Sequence, residues 1–250
     1  MNDIGLLREL IDDAGHIVFF GGAGVSTESG IPDFRSKTGL YKARDEYGRS
    51  PEEMISHSFF MQNPDIFFRY YKENMLYPDA KPNAAHLGLA KLEKDGKDVK
   101  IVTQNIDGLH QAAGSGIVYE LHGSVDRNYC LECGATYRLG YILDPENCEK
   151  EGTNTKWVPY CEKCGGMVRP DVVLYEEELD GDTVAGATAA IAKAELLIVG
   201  GTSLVVYPAA GYLRYFGGKA LVLINMSSTS MDDSADLVIR KPIGEVFAEI

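Results

Sequence analysis

Short apolar runs alternate along this chain with longer segments whose apolar residues recur at helical spacing. The runs are rich in valine, isoleucine and leucine, which suits strands that are buried on both faces. They are predicted at residues 16–20, 99–103, 117–121, 196–199, 220–224 and 236–239. Helical patterns fall at residues 3–14, 83–94, 182–194 and 208–216, and a final helix follows the last strand. Buried strands that alternate with helices form parallel sheets, so we expect a doubly wound α/β fold.

Two segments interrupt this alternation. Residues 36–80 are rich in aromatic and charged residues and carry helical patterns at 51–61 and 64–76. Residues 126–170 are rich in cysteine, glycine and charge, and a strand is predicted to begin again at residues 172–174. We therefore expect one large domain made of residues 1–35, 81–125 and 171–250, a helical insertion at 36–80 and a second insertion at 126–170.

A glycine-rich loop follows the first predicted strand. From Gly21 to Gly24 it reads Gly-Gly-Ala-Gly, and such a loop can bring backbone N–H groups against a phosphate. Thr27 stands where a dinucleotide-binding fingerprint has its third glycine, so a tight turn without a ligand is an open alternative. The nearby segment Pro32-Asp33-Phe34-Arg35 favours a ligand site, because it adds a carboxylate, an aromatic ring and a guanidinium beside the loop.

Polar or glycine-rich loops follow five of the predicted strands. They begin at Gly21, Gln104, His122, Gly201 and Asn225. The carboxyl ends of parallel strands meet at one edge of the sheet, and ligands bind there in open α/β folds. The sequence therefore predicts a cleft at this edge that is lined by residues from all five loops.

Four cysteines form two pairs with the spacing of metal-binding knuckles. Cys130 and Cys133 form one pair, Cys161 and Cys164 form the other, and a glycine follows each pair directly. Four thiolates at this spacing can surround one tetrahedral Zn²⁺, and a site with four protein ligands is structural. Redox-active pairs and a disulfide are the alternatives, but two such pairs within one polar insertion favour zinc. Cys148 is left without a role.

Composition and charge narrow the classes of partner. The hydrophobic content of 45% and the charged content of 24% are typical of soluble globular proteins. The formal net charge of −13 argues against binding to the nucleic acid backbone, which depends on clustered lysine and arginine. No apolar run reaches membrane-spanning length, and the first residues do not resemble a secretory signal. We therefore expect a cytoplasmic monomer that binds neither nucleic acid nor membrane.

Several of these segments together resemble one protein family. The chain reads GAGVSTESGIPDFR at residues 22–35, TQNIDGLH at 103–110, LHG at 121–123 and GTS at 201–203, besides the two cysteine pairs. In this order, and over nearly the whole chain, these motifs resemble those of the sirtuins, the NAD-dependent protein-lysine deacylases. The resemblance implies a Rossmann-like domain and a small lobe made of a zinc ribbon and a helical insertion.

The resemblance also implies a reaction. NAD and an acyl-lysine peptide in extended form would meet in the cleft, where the acyl group passes from lysine to ADP-ribose and nicotinamide is released. His122 would be the general base that takes a proton from a ribose hydroxyl, a task that suits a neutral imidazole at physiological pH. His110 is a second candidate for the base, whereas His16, His57 and His86 are interpreted as structural.

The NAD contacts that the resemblance implies come from every loop of the predicted cleft, and His122 is among them. The pyrophosphate would lie against Gly22, Ala23, Gly24, Thr27, Thr202 and Ser203. The nicotinamide and its ribose would contact Phe34, Gln104, Asn105, Ile106 and Asp107, with Arg35 ordering the cofactor loop. The adenosine would contact Asn225 and Ile243.

The chain departs from the family pattern at two places. Tyr175-Glu176-Glu177 stands where many relatives have Phe-Gly-Glu, so a glycine in the loop expected to bind the peptide is replaced. Phe68 and Tyr71 stand where relatives that remove acidic acyl groups have tyrosine and arginine. We therefore expect neutral acyl groups to be preferred, acetyl first.

Three other functions remain open at this point. A dehydrogenase with a zinc ribbon would reduce NAD to NADH, whereas a deacylase would release nicotinamide only when acyl-lysine is present. A non-catalytic module would use zinc to bind a protein or a nucleic acid. Transfer of ADP-ribose to a protein shares its first step with deacylation and is not separated from it by the sequence.

Overall fold

The computed structural model describes residues 2–33, 46–148 and 156–250. Nine strands lie within these residues: β1 (His16–Gly21), β2 (Asp98–Thr103), β3 (Val118–Glu120), β4 (Gly123–Cys130), β5 (Thr136–Tyr137), β6 (Val168–Val172), β7 (Leu196–Gly200), β8 (Ala220–Ile224) and β9 (Leu237–Ile239). The α-helices described are α1 (Asp3–Asp13), α2 (Pro51–Met54), α3 (His57–Gln62), α4 (Pro64–Asn74), α5 (Ala84–Lys94), α6 (Leu109–Ala113), α7 (Leu139–Leu143), α8 (Gly181–Lys193) and α9 (Ile243–Ala248).

Six parallel strands form the large sheet, in the order β3-β2-β1-β7-β8-β9. Counted within this sheet, that is the 3-2-1-4-5-6 order of doubly wound dinucleotide-binding folds. The strand order reverses between β1 and β7, which is where such folds bind their ligands. The predicted fold class is therefore confirmed.

Helices cover both faces of the large sheet, as the all-apolar strands require. Phe19 and Phe20 are neighbours in β1, so their side chains point to opposite faces, and both are fully buried. Phe19 packs in a cluster with α1, α5 and α9, and Phe20 packs in a second cluster with α8 and a 3₁₀ helix at Ala209–Tyr215. Each fully buried side chain of this size contributes about 1.5–3 kcal/mol through apolar burial.

The small lobe has one hydrophobic core that both insertions share. Its sheet is antiparallel, in the order β5-β4-β6. Buried aromatic residues from α3 and α4, including Phe60 and Phe67, pack in the same cluster as Val168 of β6 and Cys130 of β4. The Phe60 and Phe67 rings meet edge to face with centroids 4.8 Å apart, a geometry that aromatic pairs prefer.

Four elements differ from their predicted form. The helix predicted at 51–61 is two short helices, because Ser56 between them forms a parallel bridge with Tyr175 and its hydroxyl accepts a hydrogen bond from Phe59 N–H. The segment at 208–216 is a 3₁₀ helix. The strand near residue 172 is β6 and belongs to the small sheet, where it pairs with β4, a strand that was not predicted.

No helix in the described ranges has the length and apolarity needed to cross a bilayer.

Candidate active site and metal centre

A cleft of 1610 Å³ opens at the carboxyl edge of the large sheet, and residues of the small lobe line its other side. It exceeds the range of about 300–1,000 Å³ that is usual for small-molecule pockets, so it has room for a dinucleotide and a peptide segment. Every predicted NAD contact that the structure describes lines this cleft: Gly22, Ala23, Gly24, Thr27, Gln104, Asn105, Ile106, Asp107, His122, Thr202, Ser203, Asn225 and Ile243. Phe34 and Arg35 lie outside the described residues.

The glycine-rich loop is held against the loop that follows β7. Gly24 N–H donates to the carbonyl oxygen of Gly201 at 2.8 Å, and a Cβ on Gly24 would lie only 2.8 Å from Gly201 Cα. The glycine at position 24 is therefore required by the contact between the two loops. This contact sets the 3₁₀ turn at Ala23–Val25 beside Thr202, where both loops face the cleft.

Asn225 fixes the loop after β7 from the other side. Its Oδ1 accepts a hydrogen bond from Thr202 N–H at 3.0 Å, and its Nδ2 donates to the Thr202 carbonyl oxygen at 2.9 Å. The side chain is buried at the end of β8. Asn225 therefore orients Thr202 through both ends of its amide, in addition to lining the cleft.

Ser26 joins the two loops at the end of the cleft where nicotinamide is expected. Its Oγ accepts a hydrogen bond from Asn105 Nδ2 at 3.0 Å and donates to Asp107 Oδ2 at 2.6 Å. Asp107 Oδ1 accepts a further hydrogen bond from Leu109 N–H at 2.9 Å. The sequence interpretation did not single out Ser26, although its place between Gly24 and Thr27 was a signal that could have identified it.

Two more residues outside the predicted set anchor the glycine-rich loop. Asn83 caps α5 and also donates from Nδ2 to the carbonyl oxygen of Val25 at 2.7 Å and to Ser29 Oγ at 2.9 Å. Glu28 Oε2 accepts a hydrogen bond from Gly244 N–H at 2.6 Å, at the start of α9. The loop is therefore preorganised by partners that are distant in the sequence.

His122 lies at the end of β3, on the cleft. Its Nδ1 is 2.9 Å from the backbone carbonyl oxygen of Gln104, and a carbonyl oxygen can only accept, so Nδ1 carries the proton. Nε2 of the neutral ring is then free to accept a proton. Burial lowers the pKa of His122 from its ordinary value of 6.5, and the bond to Gln104 opposes this only in part. The imidazole is therefore neutral at physiological pH.

His110, the second candidate base, points away from the cleft. It is buried between the sheet and α5, with its ring 4.7 Å from that of His86 and 5.8 Å from that of Phe19. Neither of its ring nitrogens has a hydrogen-bond partner among the described residues. Burial lowers the pKa of both histidines, so the pair is neutral in the folded protein.

The four cysteines of the two pairs form one cluster. Their Sγ atoms all lie within 4.8 Å of one another, and the Cys130–Cys164 and Cys133–Cys161 pairs are 3.5 and 3.6 Å apart. Sulfur atoms about 2.3 Å from a shared Zn²⁺ would be roughly 3.8 Å apart in a tetrahedron, whereas a disulfide would need about 2.05 Å. The cluster therefore fits one structural zinc ion and does not fit a disulfide.

Local structure explains why the cysteines converge. A glycine follows each pair, and both have a positive φ: 69° at Gly134 and 71° at Gly165. The N–H of each glycine closes a turn by donating to the carbonyl oxygen of the first cysteine of its pair. Tyr137 Oη lies 3.0 Å from Cys161 Sγ, a contact that orients this ligand. Cys148 is buried outside the cluster, with Sγ 3.1 Å from Lys72 Nζ.

Phe68 and Tyr71 are fully buried in the small-lobe core and do not line the cleft. Their rings pack edge to face, and the Tyr71 ring also stacks on Phe67. These two side chains therefore serve packing in the small-lobe core.

Comparison with known proteins agrees with this geometry. The model of the Sir2 family matches residues 22–208. Two curated bacterial relatives named "NAD-dependent protein deacetylase" are 57% identical over 248 residues (Clostridium perfringens, 99% of this chain and 98% of the relative) and 54% identical over 250 residues (Clostridium acetobutylicum, 100% and 98%). A solved Sir2 structure with a deacetylated p53 peptide and 3′-O-acetyl ADP ribose superimposes with a TM-score of 0.86 at 37% identity, over 99% of this chain and 97% of the other.

Fold and site together define an α/β enzyme with a cleft that has room for a dinucleotide and a small lobe whose four clustered cysteines fit one zinc ion. The family match covers most of the chain, and the relatives match over its full length. The chain belongs to the Sir2 family.

Proposed function

We propose that this chain removes acyl groups, acetyl first, from lysine side chains of proteins and uses NAD as the co-substrate that accepts them. It is an NAD-dependent protein deacetylase, as its full-length relatives are named. The observation that carries the proposal is the placement of His122. Its imidazole ring lines the same cleft as the glycine-rich loop, and Nε2 of that ring is unprotonated.

The residues of the cleft fit NAD by the chemistry of their donors. A pyrophosphate needs N–H and O–H donors, and this edge of the cleft brings the backbone amide of Ala23 close to the hydroxyls of Thr202 and Ser203. Gly24 N–H and the Thr27 hydroxyl donate to the carbonyl oxygens of Gly201 and Gly24, so they hold the loop in shape. Ribose hydroxyls need partners that both donate and accept, and Gln104 and Asn105 supply amides. NAD brings the acceptor for the acyl group and nicotinamide as the leaving group.

Each of these residues would then have a distinct task. Ile106 and Asp107 would surround the nicotinamide, with Asp107 held in place by Ser26. Asn225 would set Thr202 for the phosphates and contact the adenosine ribose, and Ile243 would pack against the adenine side. His122 Nε2 would take the proton of a ribose hydroxyl, since Nδ1 is engaged with Gln104.

The peptide would bind in extended form across the small-lobe side of the cleft. The segment from Val172 to Glu177 lines that side, and Val173 N–H donates to the carbonyl oxygen of His122 at 3.0 Å. An acyl-lysine that enters past this segment would therefore come close to His122.

Mass spectrometry of the products from NAD and an acetyl-lysine peptide tests the proposal. Deacetylated peptide, nicotinamide and O-acetyl-ADP-ribose should form in equal amounts, and no nicotinamide should form without peptide. Formation of NADH would favour the dehydrogenase, and ADP-ribose on the peptide would favour transfer to protein; either as the main product contradicts the proposal.

The oligomeric state and location proposed from the sequence are a monomer in the cytoplasm. Size-exclusion chromatography with light scattering should give a mass near 27.4 kDa. A mass that is a multiple of this value would contradict the monomer.

A further inference from the structure

We propose that Glu176 is a positioning residue for the peptide substrate, through a clamp that ties the cleft-lining segment at 172–177 to helix α3. Glu176 has a φ of 78°, in the left-handed region that side-chain-bearing residues rarely adopt. Its carboxylate accepts two hydrogen bonds from one residue, from Ser58 N–H at 2.9 Å and from Ser58 Oγ at 3.0 Å. These charge-assisted bonds compensate for the unfavourable backbone conformation. The proposal rests on the proposed function, because it concerns the binding of its substrate.

The clamp completes a set of contacts between this segment and the helical part of the small lobe. Tyr175 N–H donates to the carbonyl oxygen of Ile55, and His57 N–H donates to the carbonyl oxygen of Tyr175. Together with Glu176 they join the segment to the residues between α2 and α3 and to the first turn of α3. Glu176 therefore adds a side-chain anchor to two backbone hydrogen bonds, at the residue of the segment whose own backbone conformation is unfavourable.

Glu177 anchors the segment from the opposite side and is not suited to a test. Its carboxylate makes a bidentate contact with the buried Arg169, at 2.8 and 3.0 Å, and lies 2.7 Å from His57 Nδ1. Removing one partner of such a buried pair leaves an uncompensated charge and destabilises the fold. Glu176 is exposed, so its replacement leaves the small-lobe core intact.

Position in the cleft makes this clamp relevant to the substrate. Glu176 lines both the central cleft and a second, smaller cavity beside Ser58 and Phe59. Val173, three residues before it, is hydrogen-bonded to the backbone of His122. A segment that is already ordered binds a peptide without the entropic cost of ordering itself. Loss of the clamp should therefore weaken peptide binding and leave NAD binding unchanged.

The test compares Glu176→Ala with Glu178→Ala, an exposed neighbour in the same loop that does not line the cleft and whose replacement changes the charge equally. Fluorescence anisotropy with a labelled acetyl-lysine peptide should show about tenfold weaker binding for Glu176→Ala and no more than about a twofold change for Glu178→Ala. Both variants should bind NAD like the parent protein. Amide hydrogen exchange at residues 173–178 should be faster in Glu176→Ala alone.

Two further variants separate a specific clamp from a general effect on the loop. Glu176→Gln can still accept from Ser58 N–H and can donate to Ser58 Oγ, so it should restore peptide affinity. Ser58→Ala removes one of the two bonds and should have a smaller effect, and combined with Glu176→Ala it should add nothing. Equal peptide affinity of the Glu176→Ala and Glu178→Ala variants, or equal losses for peptide and NAD, would overturn the proposal.

The anisotropy experiment measures peptide binding without turnover, so different results contradict the proposed function and the role of Glu176. Parent protein that binds the peptide but releases no nicotinamide would contradict the proposed function. Unchanged binding and unchanged exchange in Glu176→Ala would contradict only the role of Glu176.

Discussion

The Nδ1 atom of His122 lies 2.9 Å from the backbone carbonyl oxygen of Gln104, and this contact leaves Nε2 as the nitrogen that can take a proton. His122→Ala should therefore lower deacetylation by about 10²–10⁴-fold, the usual contribution of a general base. NAD binding should survive, because the other cleft residues are unchanged. Nicotinamide release and NAD titration measure the two effects.

His16→Ala is the control for this variant. His16 is exposed at the amino end of β1, where its Nδ1 lies 2.7 Å from Asp98 Oδ2, at the sheet edge opposite the cleft. It should deacetylate like the parent protein. Equal activity of the two variants would remove His122 from the role of base.

The pH dependence of the reaction should report the environment of His122. Burial lowers the pKa of His122 from 6.5, and a base must be unprotonated to act, so activity should persist below the pH at which an exposed histidine is half protonated. We expect the acid limb of kcat/KM for the peptide to have its midpoint below pH 6.5. Circular dichroism at each pH separates loss of activity from unfolding. A midpoint above 6.5 would contradict the assignment.

The buried pair His86 and His110 should make the fold sensitive to acid. Burial lowers the pKa of His86 to about 4, although nearby Asp107 opposes the shift, and burial with the neighbouring His86 lowers the pKa of His110 to about 3. In the unfolded chain both would titrate near 6.5, so the unfolded state binds protons first as the pH falls. The contribution of the two neutral rings to stability should be fully present above pH 6.5, and the free energy of unfolding should fall between about pH 6.5 and 3.

His110→Phe tests this acid sensitivity. The ring of His110 has no hydrogen-bond partner in the described part of the chain, so phenylalanine loses no such bond and cannot be protonated. Urea unfolding at pH 7 and pH 5 should show a smaller loss of stability for the variant than for the parent protein. An identical loss in both proteins would show that the acid sensitivity arises elsewhere.

The large sheet was predictable from the sequence because its strands are apolar on both faces. Every residue of β7 and β8 is buried, so their apolar composition alone identifies them as strands. β4 was not predicted, because its polar sequence forms a strand only through pairing with β5 and with β6, which lies about 40 residues further along the chain. The spacing of apolar residues does not distinguish a 3₁₀ helix from an α-helix, so the 3₁₀ geometry at Ala209–Tyr215 was not predicted either.

The residues around the cleft were identified from motifs, but the contacts that hold them were not. Ser26, Asn83 and Glu28 join segments that are 58 to 216 residues apart. Hydrogen bonds between such distant residues produce no periodic pattern in the sequence. The bond from Ser58 to Glu176 spans 118 residues. Tertiary packing alone brings these pairs together.

Neutral acyl groups should be preferred over acidic ones. Among the described residues, the cations that line the cleft are Arg127, Arg138 and Lys241, and each already has a carboxylate partner. Among these described residues, a succinyl carboxylate would find no free cation to meet it. We expect kcat/KM for an acetyl-lysine peptide to exceed that for the succinyl form by about tenfold or more, equivalent to about 1.4 kcal/mol.

A propionyl peptide is the control for acyl size. It is larger than acetyl and uncharged, so it should be cleaved faster than the succinyl peptide if charge decides. Faster cleavage of the succinyl peptide than of either neutral one would overturn the preference.

Zinc removal should unfold the small lobe. Cys130 and Cys161 belong to the same hydrophobic cluster as the aromatic residues of α3 and α4, so the metal and the core stabilise each other. Cys161→Ser should lose the metal and lower the melting temperature by about 10 °C or more, since structural zinc contributes many kcal/mol to folding. Cys148→Ser, which changes a buried cysteine outside the cluster, should keep one zinc per chain. Metal analysis together with thermal unfolding measures both, and a Cys161→Ser protein with full zinc and an unchanged melting temperature would refute the four-cysteine site.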